Sequence, residues 1–312
     1  MAGPKLTPEE RREKKAAKRT KQREITVLRA GKMHKARMFA EESGTKPRSY
    51  SLPALNIGCS GWFYWHLKGN FYPTQMPTSE WFAHYADHFS TVELNAPFYT
   101  WPTLKTVESW SLQAGEREMV YTVKVSELIT HIKKFEDTEV LIKDFGLIAD
   151  LLGPRMGCFL FQLPPSVQYS PALLRTILGQ LDSARRNVVE FRHESWWNEE
   201  VYAAFREAGA IFCSCSGPKL PDSLIKTADD IYVRFHGVER WYRHDYSHDE
   251  LLVWAHRIRA SGAKRVWAYF NNDFDGYAIK NAIMLRQILT DMEPALTIET
   301  NAQPGLAEAM AR

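Results

Sequence analysis

Eight short apolar runs recur along the chain: LNIGCS (55–60), TVELN (91–95), MVYTVKV (119–125), GCFLFQL (157–163), NVVEFRH (187–193), AIFCSC (210–215), IYVRFHG (231–237) and RVWAYFNN (265–272). Their length and their β-branched and aromatic content predict strands. Most are separated by segments with apolar residues at helical spacing, among them PTSEWFAHYADHF, EVLIKDFGLIADLL and HDELLVWAHRIRA. The segment after the sixth run, SGPKLPDSLIKTADD, reads instead as loop. Alternation of strand and helix implies parallel strands joined by crossover helices. No GxGxxG follows an early run, which disfavours an open nucleotide-binding sheet. The expected fold is α/β, a TIM-type (β/α)8 barrel of parallel strands.

In such a barrel, side chains point alternately to the axis and to the helical layer. Requiring apolar residues to meet the helices sends Val92, Leu94, Val123, Val125, Phe161, Leu163, Val189, Phe191, Val233 and Phe235 outward. Facing the axis are then Glu93, Asn95, Thr122, Lys124, Gln162, Glu190, Arg192, Tyr232, Arg234, His236, Tyr269 and Asn271. These groups crowd the C-terminal ends of six strands, the face at which such barrels build their sites.

Lys124, Arg192, Arg234 and His236 form a cationic set suited to phosphate or carboxylate. Glu93 and Glu190 are the candidate acid and base. Lys124 acts as an electrostatic group or a nucleophile; the second role needs a lowered pKa, which the arginines favour and Glu190 opposes. His193 follows its strand directly and either shuttles protons or bonds to backbone at the strand's end. A structural alternative stands beside these roles, in which the glutamates and the cations neutralise one another as an ionic plug.

The last junction, NNDFDGYAIKNA, offers Asn272 or Asp273 as a helix cap at the mouth. Asp273 and Asp275 count against a bare phosphate there unless a divalent cation intervenes, so the use of a metal is left open. Trp196, Trp197, Trp241 and Tyr242 follow strands five and seven, placed either to stack on a ligand ring or to cover the mouth.

Charge changes the picture at the N-terminus. Residues 1–50 hold fifteen Lys/Arg against six Asp/Glu, a net +9, and the rest of the chain carries −6. Residues 1–51 are read as a basic arm, 52–291 as the barrel domain and 292–312 as a C-terminal tail. Thr7, Pro8 and Glu10 make a helix start, but large apolar residues are few before Ile25, Val27 and Leu28. The arm is therefore expected to be helical or disordered, with a charge that suits nucleic acid through residues 1–50. Cys59, Cys158, Cys213 and Cys215 form no CxxC pair and read as reduced thiols. No run reaches the ~18 apolar residues of a membrane span, and the charged N-terminus does not resemble a secretion signal. A cytoplasmic location without a membrane partner is expected.

GCSGWFYW…FYP, TVELNAPFYTWP, VKVSELITH, LFQLPPS, VEFRHESWW, YVRFHG and YFNND resemble, in order from about Asn56 to Leu289, the motifs of the domain-of-unknown-function 72 family, the YecE-like proteins. The resemblance implies a TIM-type barrel. It also implies that the family's shared polar positions fall on Glu93, Asn95, Lys124, Gln162, Glu190, Arg192, Arg234, His236 and Asn271, and on Ser60, Trp62, His131, His193, Asn272 and Asp273 besides. It implies no reaction, and the basic arm lies outside the usual family pattern.

The expectation is an enzyme using acid/base chemistry on a polar, anionic small molecule or nucleotide-like ligand at the barrel mouth. Glu93, Lys124, Glu190 and His193 are the candidate catalytic residues. Ser60, Trp62, Asn95, His131, Gln162, Arg192, Arg234, His236, Asn271, Asn272 and Asp273 are the candidate ligand-binding residues. No cofactor is required by the sequence. Two alternatives stand: glycoside hydrolysis by the two glutamates, and a nucleic-acid-binding protein tethered by its arm. The type of reaction and the oligomeric state are left open.

Overall fold

The computed structural model describes residues 6–43 and 52–292. Residues 1–5 and 44–51 of the expected arm, and all of the expected tail except Met292, lie outside the described residues. Strands β1 (Leu55–Cys59), β2 (Thr91–Leu94), β3 (Val120–Lys124), β4 (Met156–Gln162), β5 (Asn187–Glu190), β6 (Ile211–Ser216), β7 (Asp230–Phe235) and β8 (Arg265–Phe270) pair in chain order. Every pairing is parallel, and β8 returns to β1, so the sheet is a closed barrel.

The long helix α1 (Pro8–Glu42) precedes the barrel. Helix α2 (Trp81–His88) follows β1, the short α3 (Ala96–Tyr99) and α4 (Leu104–Ala114) follow β2, and α5 (Glu139–Leu152) follows β3. Then come α6 (Pro171–Gln180), α7 (Glu199–Ala208), α8 (His248–Ala260) and α9 (Tyr277–Asp291) after β4, β5, β7 and β8. No helix joins β6 to β7, as the Pro- and Ser-containing sequence of that segment predicts.

The phase read from the apolar alternation holds. Val92, Leu94, Val123, Phe161, Val189, Phe191, Val233 and Phe235 belong to the large core between barrel and helices. A second, smaller core lies inside the barrel, built from residues such as Val120, Cys158, Leu160, Val188, Cys213, Tyr232 and Trp267. Trp267 fills the floor so closely that a Cβ at Gly157 would meet its ring at 2.8 Å. Higher up, the Tyr269 hydroxyl bonds to the hydroxyls of Thr91 (2.6 Å) and Thr122 (3.0 Å). The interior thus grades from an apolar floor through a hydroxyl layer to the charged groups at the mouth.

α1 begins as its sequence predicts. Thr7 and Glu10 form a reciprocal capping box, with Pro8 in the first turn. It docks on the barrel through Thr26, Ala30 and Met33, while Val27 and Leu28 point to solvent. Arg37 Nε donates to Asp144 Oδ1 on α5 at 2.7 Å, and His34 Nδ1 lies 3.0 Å from the same oxygen. Arg29 donates to the Trp101 carbonyl at 3.2 Å, Gln22 bonds to Thr100, and Arg23 pairs with Glu127. The expected alternative of a disordered arm does not apply to residues 8–42.

Candidate functional site

Strand register brings the axial residues to one level. Glu93 lies beside Thr122, Gln162 beside Glu190, and Arg234 between Cys215 and Tyr269. Arg234 is the centre of this layer. Its guanidinium donates to Glu190 through Nη1 and to Glu93 through Nη2, and all three side chains are buried. Nη2 also reaches Ser60 Oγ at 3.4 Å, and Tyr232 donates its hydroxyl to Glu93 Oε2 at 2.6 Å.

Arg192 completes the frame. Its Nε donates to Glu190 Oε1, its Nη2 lies 3.1 Å from His236 Nε2, and its guanidinium lies over the Trp241 ring at 4.3 Å. Burial works to raise the Glu190 pKa, but Arg192, Arg234 and His236 outweigh it and hold the carboxylate well below its usual range. Burial drives His236 well below the usual imidazole value, and Arg192 and Arg234 push in the same direction. The ring is therefore neutral, and its Nε2 lies within hydrogen-bonding distance of both Arg192 Nη2 and Glu190 Oε1, the latter at 3.2 Å. Asn271 Nδ2 lies 3.3 Å from His236 Nδ1 on the other side.

Lys124 stands apart from this network. At 9% exposure it makes no hydrogen bond or ion pair among the described residues, and its Nζ lies 4.0 Å from the centroid of the Phe98 ring. Burial lowers its pKa from 10.5 to about 7, chiefly with help from Arg234, against the opposing pull of Glu190. His131 lies in a π-helical turn (Leu128–Ile132), with its Nδ1 on Thr130 Oγ1 at 2.9 Å and its ring edge-on to Phe98 at 4.9 Å. Burial, with Lys124 and Arg192, lowers its pKa to about 4. Two buried polar atoms at this level have no partner among the described residues, Asn95 Oδ1 and Arg234 Nε.

Other candidates take up supporting positions. Asn95 donates to the Ser60 carbonyl at 3.0 Å, and Gln162 to the Leu163 carbonyl at 2.7 Å. Trp62 packs edge-on against Phe82. His193 Nδ1 accepts from the Ser195 amide at 3.2 Å and caps the following turn, with no bond to the axial network. Asn272 faces the helical layer, where it donates to the His244 carbonyl and to Asn281 Oδ1. Asp273 lies 3.1 Å from His66 Nε2, and burial raises its pKa to about 6 against the pull of His66.

The expected cap on the last helix is a correction. Neither Asn272 nor Asp273 caps α9; Gly276 takes that position at φ 80°, which a side chain disfavours. Trp196 is not a rim residue, since it is buried and stacks on Phe191 at 4.0 Å.

Cys215, Phe98 and Tyr232 also belong to the site, beyond the candidates that the sequence offers. Tyr232 faces the axis, as the alternation along its strand predicts, and meets Glu93 there. Cys215 lies on β6, whose alternation of Cys and Ser gives no contrast between faces. Ligand atoms of Glu190, Cys215 and His236 lie within 4.8 Å of one another, a spacing open to a metal. The donor set does not fit one: both Glu190 oxygens already accept from guanidinium groups, whose positive charge opposes a cation there.

The family model described as "Protein of unknown function DUF72" matches residues 56–306. The UPF0759 protein YunF of Bacillus subtilis (strain 168) is 24% identical, over 75% of this chain and 94% of its own length. A solved DUF72 family protein from Thermotoga maritima MSB8 superposes with a TM-score of 0.69 at 27% identity, covering 77% of this chain and 100% of that one. A second, from Enterococcus faecalis V583, gives 0.65 at 18% identity over 76% and 95% of the two chains, a likeness of fold. With the family's motifs lying on the barrel's charged mouth and its model spanning nearly the whole barrel, the chain belongs to the DUF72 family.

Proposed function

We propose that the chain is an enzyme that performs acid/base chemistry on a small phosphate- or carboxylate-bearing molecule at the barrel mouth, with Lys124 as its proton acceptor. The reading rests on one observation: Lys124 is an amine without a counter-ion among the described residues, held near pKa 7, at the C-terminal end of a barrel strand. A group that titrates near the working pH is suited to taking up and returning a proton. Its surroundings favour an anion, because two arginines already match the two glutamates and Lys124, once protonated, adds a positive charge with no carboxylate partner among the described residues. The unpartnered Asn95 Oδ1 and Arg234 Nε supply polar atoms for a ligand to meet.

Glu93 and Glu190 serve this reading as fixed counter-charges that orient Arg234 and Arg192. Glu190 is held ionised with both oxygens engaged, which suits a positioning residue better than a proton carrier. The same geometry weighs against glycoside hydrolysis, since the Arg234 guanidinium lies between the two carboxylates where a sugar or water would have to enter. His131, neutral above about pH 4 and packed against the same Phe98 ring as Lys124, is the candidate proton relay.

The test is solvent deuterium exchange into a panel of 2-keto acids and phosphorylated ketones, followed by NMR. Exchange into one member, lost by about 100-fold or more in Lys124→Met, is expected. No exchange with any member, together with no binding of inorganic phosphate or simple carboxylates, would overturn the reading.

A further inference from the structure

The geometry points to a second binding surface, in which the free end of α1 and the exposed aromatic rim of the mouth together take an unpaired strand of nucleic acid. The contacts of α1 give its direction. Gln22 and Arg23 meet Thr100 and Glu127, which follow β2 and β3 at the mouth, whereas His34 and Arg37 meet Asp144, halfway down α5. The helix therefore descends the outside of the barrel from residue 22 onward. Residues 8–21 extend the other way, past the mouth rim, for about 20 Å at 1.5 Å per residue.

That projecting segment is strongly basic. Residues 11–23 hold eight Lys/Arg and one acid, Glu13. Residues 6–21 are exposed throughout, and Arg23 alone among those eight cations has an acidic partner among the described residues. The only apolar side chains in residues 11–23 are Ala16 and Ala17. A helix that binds a lipid surface needs a large apolar face, so the charge here suits phosphates in solution instead.

The rim beside it supplies ring faces, although Arg243 already covers one side of the Phe274 ring. Trp65 follows β1, Tyr99 follows β2, Tyr242 follows β7 and Phe274 follows β8, and all four are exposed. Strands β7, β8, β1 and β2 are consecutive neighbours in the closed sheet, so the four rings form one arc. Tyr99 ends that arc next to Thr100, the residue that Gln22 of α1 meets. A basic track continuous with exposed rings is the arrangement that holds single strands, the cations following the backbone and the rings stacking on bases. A duplex hides its base faces, and an acidic polypeptide has none.

The experiment is fluorescence anisotropy of a labelled 20-nucleotide oligo-U and of a matched 20-base-pair duplex with the full chain, at 50 and 200 mM KCl. Five phosphates neutralised would weaken oligo-U binding about 100-fold over that range. The quadruple variant K14E/K15E/K18E/R19E leaves the docked residues 22–37 untouched and should lose oligo-U binding and its salt slope, with unchanged circular dichroism. The pair Trp65→Ala and Tyr99→Ala should weaken oligo-U binding by about 10-fold or more and keep the slope. Equal affinity for the duplex, for polyglutamate or for anionic phosphatidylglycerol vesicles would overturn the proposal. So would binding that ignores salt or the charge reversal. Both outcomes are independent of the Lys124 amine, which this assay does not read.

Discussion

The Lys124 amine lies 4.0 Å from the centre of the Phe98 ring and has no ion pair among the described residues. Arg234, by contrast, is bound by both glutamates. The mouth thus divides its cations into two kinds: arginines locked in place by carboxylates, and one lysine without a carboxylate partner among the described residues.

Holding Lys124 at about 7 costs stability below that pH. The unfolded chain keeps this proton up to about 10.5, so the contribution of the group rises as pH climbs from about 7 to 10.5 and is lowest below 7. Lys124→Met should therefore stabilise the protein at pH 6, by about 2 kcal/mol or more at ~1.4 kcal/mol per pKa unit. The gain should shrink towards pH 10, as followed by urea unfolding at both pH values. A loss of stability at pH 6 would mean that the amine is not strained.

Glu190→Gln removes the counter-charge shared by Arg192 and Arg234. Breaking one partner of a buried network costs about 3–5 kcal/mol, and the urea midpoint should fall accordingly. Because Glu190 raises the Lys124 pKa, the same substitution should move the titration of that amine downward.

Asp273 carries the opposite kind of burden. Its pKa rises from 3.8 to about 6, so the folded state holds the proton more tightly and stability from this group falls as pH climbs from about 4 to 6. Asp273→Asn should stabilise the protein at pH 7 by about 1–2 kcal/mol, a gain that vanishes near pH 3.5. Thermal unfolding across that range checks the sign.

The docking of α1 depends on Met33 and on the Arg37 pair with buried Asp144. In the native chain, brief trypsin treatment should trim the exposed segment no further than about Lys21. Met33→Ala with Arg37→Ala should extend cleavage through Arg29, Lys32 and Lys35, seen by mass spectrometry. Unchanged trimming would show that other contacts hold the helix.

The barrel was legible in the sequence because its strands are bounded by turn residues and because each outward position is apolar while its neighbours are not. Val189 and Phe191 against Glu190 and Arg192 set the phase of β5 without any structural knowledge. Which charge meets which was not legible. Alternation places Lys124, Arg192 and Arg234 on one side, but only register and closure give both glutamates to Arg234 and none to Lys124. Likewise, nothing local distinguishes His193, which caps a turn, from His236, which joins the network. The arm's docking was hidden for a related reason: it is made by Thr26, Ala30 and Met33, a sparse stripe of small and flexible residues, and not by the larger Val27 and Leu28.

The most direct test is the pH dependence of Lys124 acetylation by acetic anhydride, read by mass spectrometry with and without inorganic phosphate. Surface lysines serve as the internal reference. A midpoint near 7 for Lys124, with protection by phosphate, is the expected result. A midpoint near 10 that matches the surface lysines, with no protection, would contradict the assignment of Lys124 as the reactive group of an anion-binding mouth.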